Sequence, residues 1–392
     1  MDWEERHAVE VTLGRFADKV ERALFSGEGA DGDLARLPSL LHEARGMGLV
    51  ADPMPGAPGY ELGVWGRDCW GEGAGRSLLT LAVLGQVCAG FATAVHAQGV
   101  ACLALDGRGD CAAATPLAAV FMPPYGVPLS ARLRTVGSGL QLSGTGDALR
   151  LHGTGHFALA AEAPRKLVCF AQWAGSFEWV CLFLDATAAG VEMTEVTGRT
   201  GLRAARQYHV RCEGVSLSQG SVLCQGEAAR RILAQVLACN WLGQAAMALG
   251  VARRSLQDSR AYTAQRYQGG GLIETHASVQ LLQGTAEYDV ALLAALLDQH
   301  ASAPLSSLGP GDLLRWALQA RLAVVEHAQR AVTNCLQTLG GYGYMEDYGL
   351  EKRLRDVSTL KSLHGAPDQL RLFLNELAQG NGTQMNVDSL IR

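Results

Sequence analysis

The chain has 392 residues, of which 48% are hydrophobic and 18% charged, and its net charge is −5. That balance excludes a disordered chain and offers no electrostatic footing for nucleic acid. The length leaves room for two or three domains around a large core. The only lysines are Lys19, Lys166, Lys352 and Lys361, so arginine carries nearly all the positive charge.

The ten cysteines are scattered and never form Cys-x-x-Cys. A disulfide framework or a zinc site needs clustering, so no metal is expected. Buried reduced thiols in a cytoplasmic protein are the better reading. The first residues, Met1 to His7, are charged and lack an apolar signal core. No run reads as an apolar stretch of about 20 residues, so no membrane span is expected.

Residues 1–26 predict an amphipathic helix with Val9, Val11, Leu13, Phe16, Val20 and Leu24 on one face. Pro38 suits the first turn of a short second helix that stops at Gly46. Residues 51–75 are rich in Gly and Pro and predict a long loop. Gly73-Ala74-Gly75-Arg76-Ser77 has the wrong spacing for a phosphate loop and reads as a helix entry. Residues 77–105 predict one or two buried helices, with His96 as a packed polar residue.

From about residue 115 the period changes. Leu117–Met122, Leu140–Leu142, Leu149–Phe157, Leu167–Trp173, Trp179–Asp185 and Tyr208–Cys212 are short strand-like runs separated by turn residues. They predict a barrel or sandwich. From Glu227 the pattern returns to helix. Ile232, Val236, Cys239, Leu242, Ala246 and Leu249 recur three or four apart. A second helix is expected over 274–299 and a third from Asp312. With a shorter terminal helix they make a four-helix bundle. The expected division is a helical part over 1–114, a β part over 115–226, a bundle over 227–380 and a flexible tail over 381–392.

Near the end stand Gln337, Gly340-Gly341-Tyr342-Gly343-Tyr344, Arg355-Asp356 and His364-Gly365. Gln-x-x-Gly-Gly-x-Gly-Tyr, a short acidic segment, Arg-Asp and a Gly nine residues later resemble the C-terminal signature of the acyl-CoA dehydrogenases. The resemblance is close over about 230–375 and looser elsewhere. It implies an α+β fold with an N-terminal helical domain, a middle β-barrel and a C-terminal four-helix bundle. It also implies FAD as the acceptor of a hydride from Cβ of an acyl-CoA thioester, after a base has taken the Cα proton.

The resemblance places individual residues. Gly250 to Arg266 matches the family's helix without a gap, and Arg266 falls on an arginine that reaches the FAD diphosphate across a subunit interface. Gln268, Gln337, Gly340, Gly341 and Phe157 join it as cofactor contacts, and His276 matches a common histidine. Gly269 stands where the family has a phenylalanine. Phe121-Met122-Pro123-Pro124-Tyr125-Gly126-Val127-Pro128 stands where the family has its flavin-binding turn, and two prolines there remove N–H donors. The family's catalytic glutamate position holds His364, and the position used by some members on the bundle helix holds Asn240. Asparagine cannot take a proton, whereas a largely neutral histidine can, or can donate a hydrogen bond. Asn240, Trp241 and Gly365 are the expected substrate contacts. Glu274 and Asp368 read as helix surface.

Three readings follow. The first is a flavoenzyme with His364 as acid or base, its electron acceptor left open between an electron-transfer flavoprotein, oxygen and none. A flavin monooxygenase of the same fold is a variant of it. The second is a degenerate subunit that joins a Glu-bearing paralogue in a heterotetramer and completes its FAD site, in place of a homotetramer. The third is a non-catalytic protein that keeps only the CoA groove.

Overall fold

A computed structural model describes residues 3–25, 31–71, 73–105, 117–120, 139–176, 178–302 and 304–379. The expected flavin turn at 121–130 and the tail at 381–392 lie outside the described residues.

The chain opens with α1 (Trp3–Phe25), which buries Leu13, Phe16, Val20 and Leu24. Val11, expected on that face, is exposed. Helix α2 (Leu37–Gly46) carries its proline in the first turn and ends at Gly46. The expected loop over 51–75 contains two short helices, α3 (Pro58–Leu62) and α4 (Asp68–Gly71). They are too short to leave a periodic signal. Two buried helices follow, α5 (Gly75–Val87) and α6 (Ala89–Cys102), separated by Cys88 in an extended conformation. Every residue of α6 from Ala89 to Ala101 is buried, which is why this helix shows no apolar stripe.

The strands are β1 (Leu117–Val120), β2 (Leu140–Ser143), β3 (Leu149–Ala160), β4 (Lys166–Trp173), β5 (Trp179–Asp185), β6 (Val191–Glu195), β7 (Arg206–Leu217) and β8 (Val222–Gln225). They form one mixed sheet in the order β6-β7-β3-β2-β4-β5-β8. One edge of β4 pairs with β1 along Lys166–Cys169 and with β2 along Ala171–Trp173, both parallel. Leu167, Cys169 and Ala171 face the sheet's own core, whereas Val168 and Phe170 face the helices. Burial on both faces explains why β4 and β5 read as unbroken apolar runs rather than alternating ones. The sequence reading missed β6, which is half-exposed, and β8, which is only four residues long.

The rest is helical. It comprises α7 (Glu227–Thr263), a hairpin of β9 (Tyr267–Gln268) and β10 (Gly271–Leu272), α8 (Ala277–Ala301), α9 (Pro310–Thr338), α10 (Leu350–Ser362) and α11 (Pro367–Gln379). Two short helices close the bundle where one was expected. By length and composition α7 could cross a membrane, contrary to the expectation from sequence, but 89% of its apolar window is buried inside the protein. It is the central core helix, lying against α5, α6, α8 and α9.

The Arg355-Asp356 pair ties the bundle to the β part. Asp356 Oδ1 accepts from the Leu202 backbone N–H at 2.7 Å, and its Oδ2 accepts from the buried Lys352 ammonium. Arg355 binds Glu351, Asp31 and the Thr200 carbonyl. Among the described residues, three non-glycine residues have positive φ: Trp65, Leu202 and His364. Left-handed backbone costs about 1–2 kcal/mol for such residues. Asp356 holds Leu202 in place, and the other two belong to the network described next, Trp65 at one end and His364 within it.

Candidate functional site

His364 occupies the turn between α10 and α11 and is 3% exposed. Its φ of 54°, followed by Gly365 at 127°, bends the chain sharply. Arg321 on α9 fixes this turn from below. It is fully buried, and its Nη2 donates to the carbonyls of Lys361 and Leu363 at 2.9 and 3.0 Å and of Gly365 at 3.2 Å. The Trp241 indole reaches the His364 carbonyl at 3.5 Å.

The His364 ring meets two amides from successive turns of α7. Nδ2 of Asn240 lies 3.0 Å from Nδ1 of His364, and Nε2 of Gln244 lies 3.3 Å from the same atom. Residues four apart share one helix face, so α7 presents both amides together. Arg321 Nε donates to Gln244 Oε1 at 2.9 Å. On the other side His96 Nε2 lies 3.3 Å from Asn240 Oδ1, and the Trp65 indole donates to His96 Nδ1 at 2.8 Å. The ring of His96 is wholly buried, which pushes its pKa down to about 4, against the Asn240 hydrogen bond and with help from His364. Burial also pushes the Arg321 guanidinium down to about 10. Trp65, His96, Asn240, His364, Gln244 and Arg321 therefore form one buried polar network inside an apolar core.

Trp241 is buried and packs against Phe373 of α11, with ring centroids 6.4 Å apart. This placement makes it a support of the turn rather than the substrate contact expected from the sequence. Asn240 likewise faces the two histidines. Asp368 pairs with Arg371 at the surface, in keeping with its expected place there.

A second site lies at the far end of α7. Arg266, Gln268, Gly269, His276, Gln337, Gly340 and Gly341 line one recess of about 620 Å³. Gly269 and Gly270 both have positive φ and make the two-residue turn of the β9–β10 hairpin. That turn type requires such residues, so the loss of a phenylalanine at Gly269 follows from a tight hairpin. His276 Nε2 bonds the Gln268 carbonyl at 2.9 Å and pins the hairpin to α8. The Arg266 guanidinium lies over the Tyr342 ring at 5.3 Å. Its Nε is buried and has no hydrogen-bond partner among the described residues. Around Gly340 and Gly341 the space where a side chain would start is open. An unpartnered buried cationic donor beside bare backbone is the donor set that a phosphate or diphosphate requires. Phe157 lies on β3, away from this recess in sequence.

Two further recesses, of about 410 and 720 Å³, open beside α8 and beside α10. Neither is lined by His364 or Arg266. The sequence reading missed Trp65, Gln244 and Arg321 as site residues and took His96 for packing alone. Arg321 did leave a signal, since it falls on the apolar stripe of α9 with Leu314, Ala317, Leu318 and Val325.

Residues 230–377 match the family described as "Acyl-CoA dehydrogenase, C-terminal domain". The probable acyl-CoA dehydrogenase YngJ of Bacillus subtilis is 28% identical over 199 residues, covering 49% of this chain and 50% of that protein. The chain thus spans about half the length of the curated relative it matches. Glutaryl-CoA dehydrogenase from Mycobacterium smegmatis superposes with a TM-score of 0.77 at 17% identity, over 98% of this chain and 96% of that one. The structure titled "PigA with FAD and proline" gives a TM-score of 0.78 at 16% identity, over 96% of this chain and 98% of that one.

The fold is therefore that of the acyl-CoA dehydrogenases. The match over residues 230–377 makes the C-terminal helices similar to that family's C-terminal domain.

Proposed function

We propose that this chain is an FAD-binding protein that acts on an acyl thioester, with Arg266 and the Gly340-Gly341 backbone holding the FAD diphosphate. The observation that carries this reading is the buried, unpartnered Nε of Arg266 in a recess with open glycine backbone. The residues fit the group, because a guanidinium and free N–H groups match diphosphate oxygens in charge and hydrogen-bond sense. The match of residues 230–377 to the acyl-CoA dehydrogenase C-terminal domain and the FAD named for one structural neighbour support the same assignment.

When bound, FAD supplies the hydride acceptor that no side chain can provide. The chain's own residues would do the rest. Arg266 neutralises diphosphate charge, and Tyr342 keeps the guanidinium in place through its ring face. The His364 turn offers a rigid imidazole between α10 and α11, held by Arg321 and Trp241. A dry, preorganised polar group of that kind is suited to meeting charge that develops on a thioester.

A second reading is favoured by one observation: the described side-chain hydrogen-bond partners of His364 are amides. Neither His364 nor Asn240 supplies the family's carboxylate. In this reading the chain joins a Glu-bearing homologue and lends Arg266 to its partner's cofactor.

Anaerobic addition of a panel of acyl-CoA thioesters to the flavin-loaded chain separates the two. Bleaching of the flavin with formation of an enoyl-CoA supports catalysis by this chain. Flavin that is never reduced, by the chain alone or with its homologue, would remove the acyl-CoA assignment.

A further inference from the structure

We infer that His364 is held as its Nε2–H tautomer, a hydrogen-bond donor and not a base, by Asn240 and Gln244 as positioning residues. Their amide orientations are set from opposite sides, by the Trp65–His96 pair and by Arg321.

The assignment begins at a group with one choice only. An indole nitrogen can donate but not accept. The Trp65 contact at 2.8 Å therefore makes His96 Nδ1 an acceptor. Neutral His96, wholly buried, then carries its proton on Nε2 and donates it to Asn240 Oδ1. With its oxygen so turned, Asn240 directs its NH₂ at His364 Nδ1, 3.0 Å away.

A second line starts from Arg321, which also can only donate. Its Nε bonds one atom of the Gln244 amide at 2.9 Å, which must be the oxygen. The Gln244 NH₂ then faces His364 Nδ1 at 3.3 Å. Two independent chains of donors thus end on the same ring nitrogen, which must accept. Among the described contacts, one competes: Asn240 Oδ1 also lies 3.3 Å from His364 Nδ1, longer than the Nδ2 contact. Were Nδ1 protonated, its hydrogen would point at two NH₂ groups.

The chemical meaning is specific. The lone pair that could take a Cα proton is Nδ1, and it is already engaged by two donors. The ring proton sits on Nε2, so the ring donates there, while its lone pair on Nδ1 is turned to the two amides rather than held for a Cα proton. This inference concerns the chain without ligand and stands whether or not the flavin reading holds.

The test is magic-angle-spinning NMR of the full chain with ¹⁵N-labelled histidine, the His364 ring being assigned by its loss in His364→Ala. The expected spectrum has a protonated Nε2 and an unprotonated Nδ1. Replacing both amides, Asn240→Asp with Gln244→Glu, removes both donors and should move the proton to Nδ1. A wild-type ring protonated at Nδ1, or at both nitrogens, overturns the inference. So does a double variant whose tautomer is unchanged. Neutron diffraction of the wild-type chain asks the same question should the double variant not fold.

Discussion

Gly243 stands directly against the His96 ring: a methyl group at position 243 would lie 2.3 Å from Cε1 of His96. The glycine sits in the middle of α7, where alanine would gain about 1 kcal/mol in helix propensity. The ring cannot yield, because Trp65 and Asn240 bond both of its nitrogens. Overpacking in a core costs about 1–3 kcal/mol and should win. Gly243→Ala is expected to lower stability in urea unfolding and to disturb the His96 ring signals. An unaffected midpoint with an unchanged His96 ring would show that the ring has room to move.

His96 gives the fold a definite response to acid. Its pKa is pushed down to about 4 in the folded chain, chiefly by burial, from about 6.5 when unfolded. Between those values the unfolded chain binds a proton that the folded chain refuses. Stability is therefore intact above pH 6.5 and falls as the pH drops toward 4, by roughly 3 kcal/mol. Unfolding free energies measured across that window should carry the slope, and His96→Gln should remove it. Equal slopes in the two proteins would contradict the burial of a neutral imidazole.

Arg321 is a buried cation whose Nη2 and Nε satisfy backbone carbonyls and the Gln244 amide. Arg321→Met removes the desolvated charge, which is favourable, but strands those acceptors in the core. Each unsatisfied buried group costs about 1–3 kcal/mol. The net loss should be roughly 2–4 kcal/mol, with amide protection lost first around residues 363–366. A variant as stable as the wild type, with the turn still protected, would mean that the turn holds itself.

The bundle helices were legible because α9 carries a strong 3.6-residue pattern and α7 a long apolar run, and β4 and β5 because unbroken apolar runs mark strands buried on both faces. The resemblance grouped the Gly340-Gly341 segment with Arg266, and in the structure they line one recess. The histidine network was not legible. His96 sits in a helix buried on every side and Arg321 falls on the apolar stripe of α9, so each reads as a polar exception within a core. Their meaning depends on which residues of α6, α7 and α9 face one another, and no local period encodes that. Trp241 misled for the same reason: its neighbour is Phe373, more than a hundred positions away.

The most direct test of the account is the FAD content of the purified chain, wild type against Arg266→Ala, read from the visible absorption spectrum. It should be recorded for the chain alone and after co-expression with a Glu-bearing homologue. The account predicts a flavin spectrum for the wild type in at least one of these preparations, and its loss or strong reduction in Arg266→Ala. Flavin appearing only after co-expression would assign this chain the role of completing its partner's site. A wild-type chain colourless in both preparations, or an Arg266→Ala variant that keeps its full flavin content, would contradict the claim that this recess holds the cofactor.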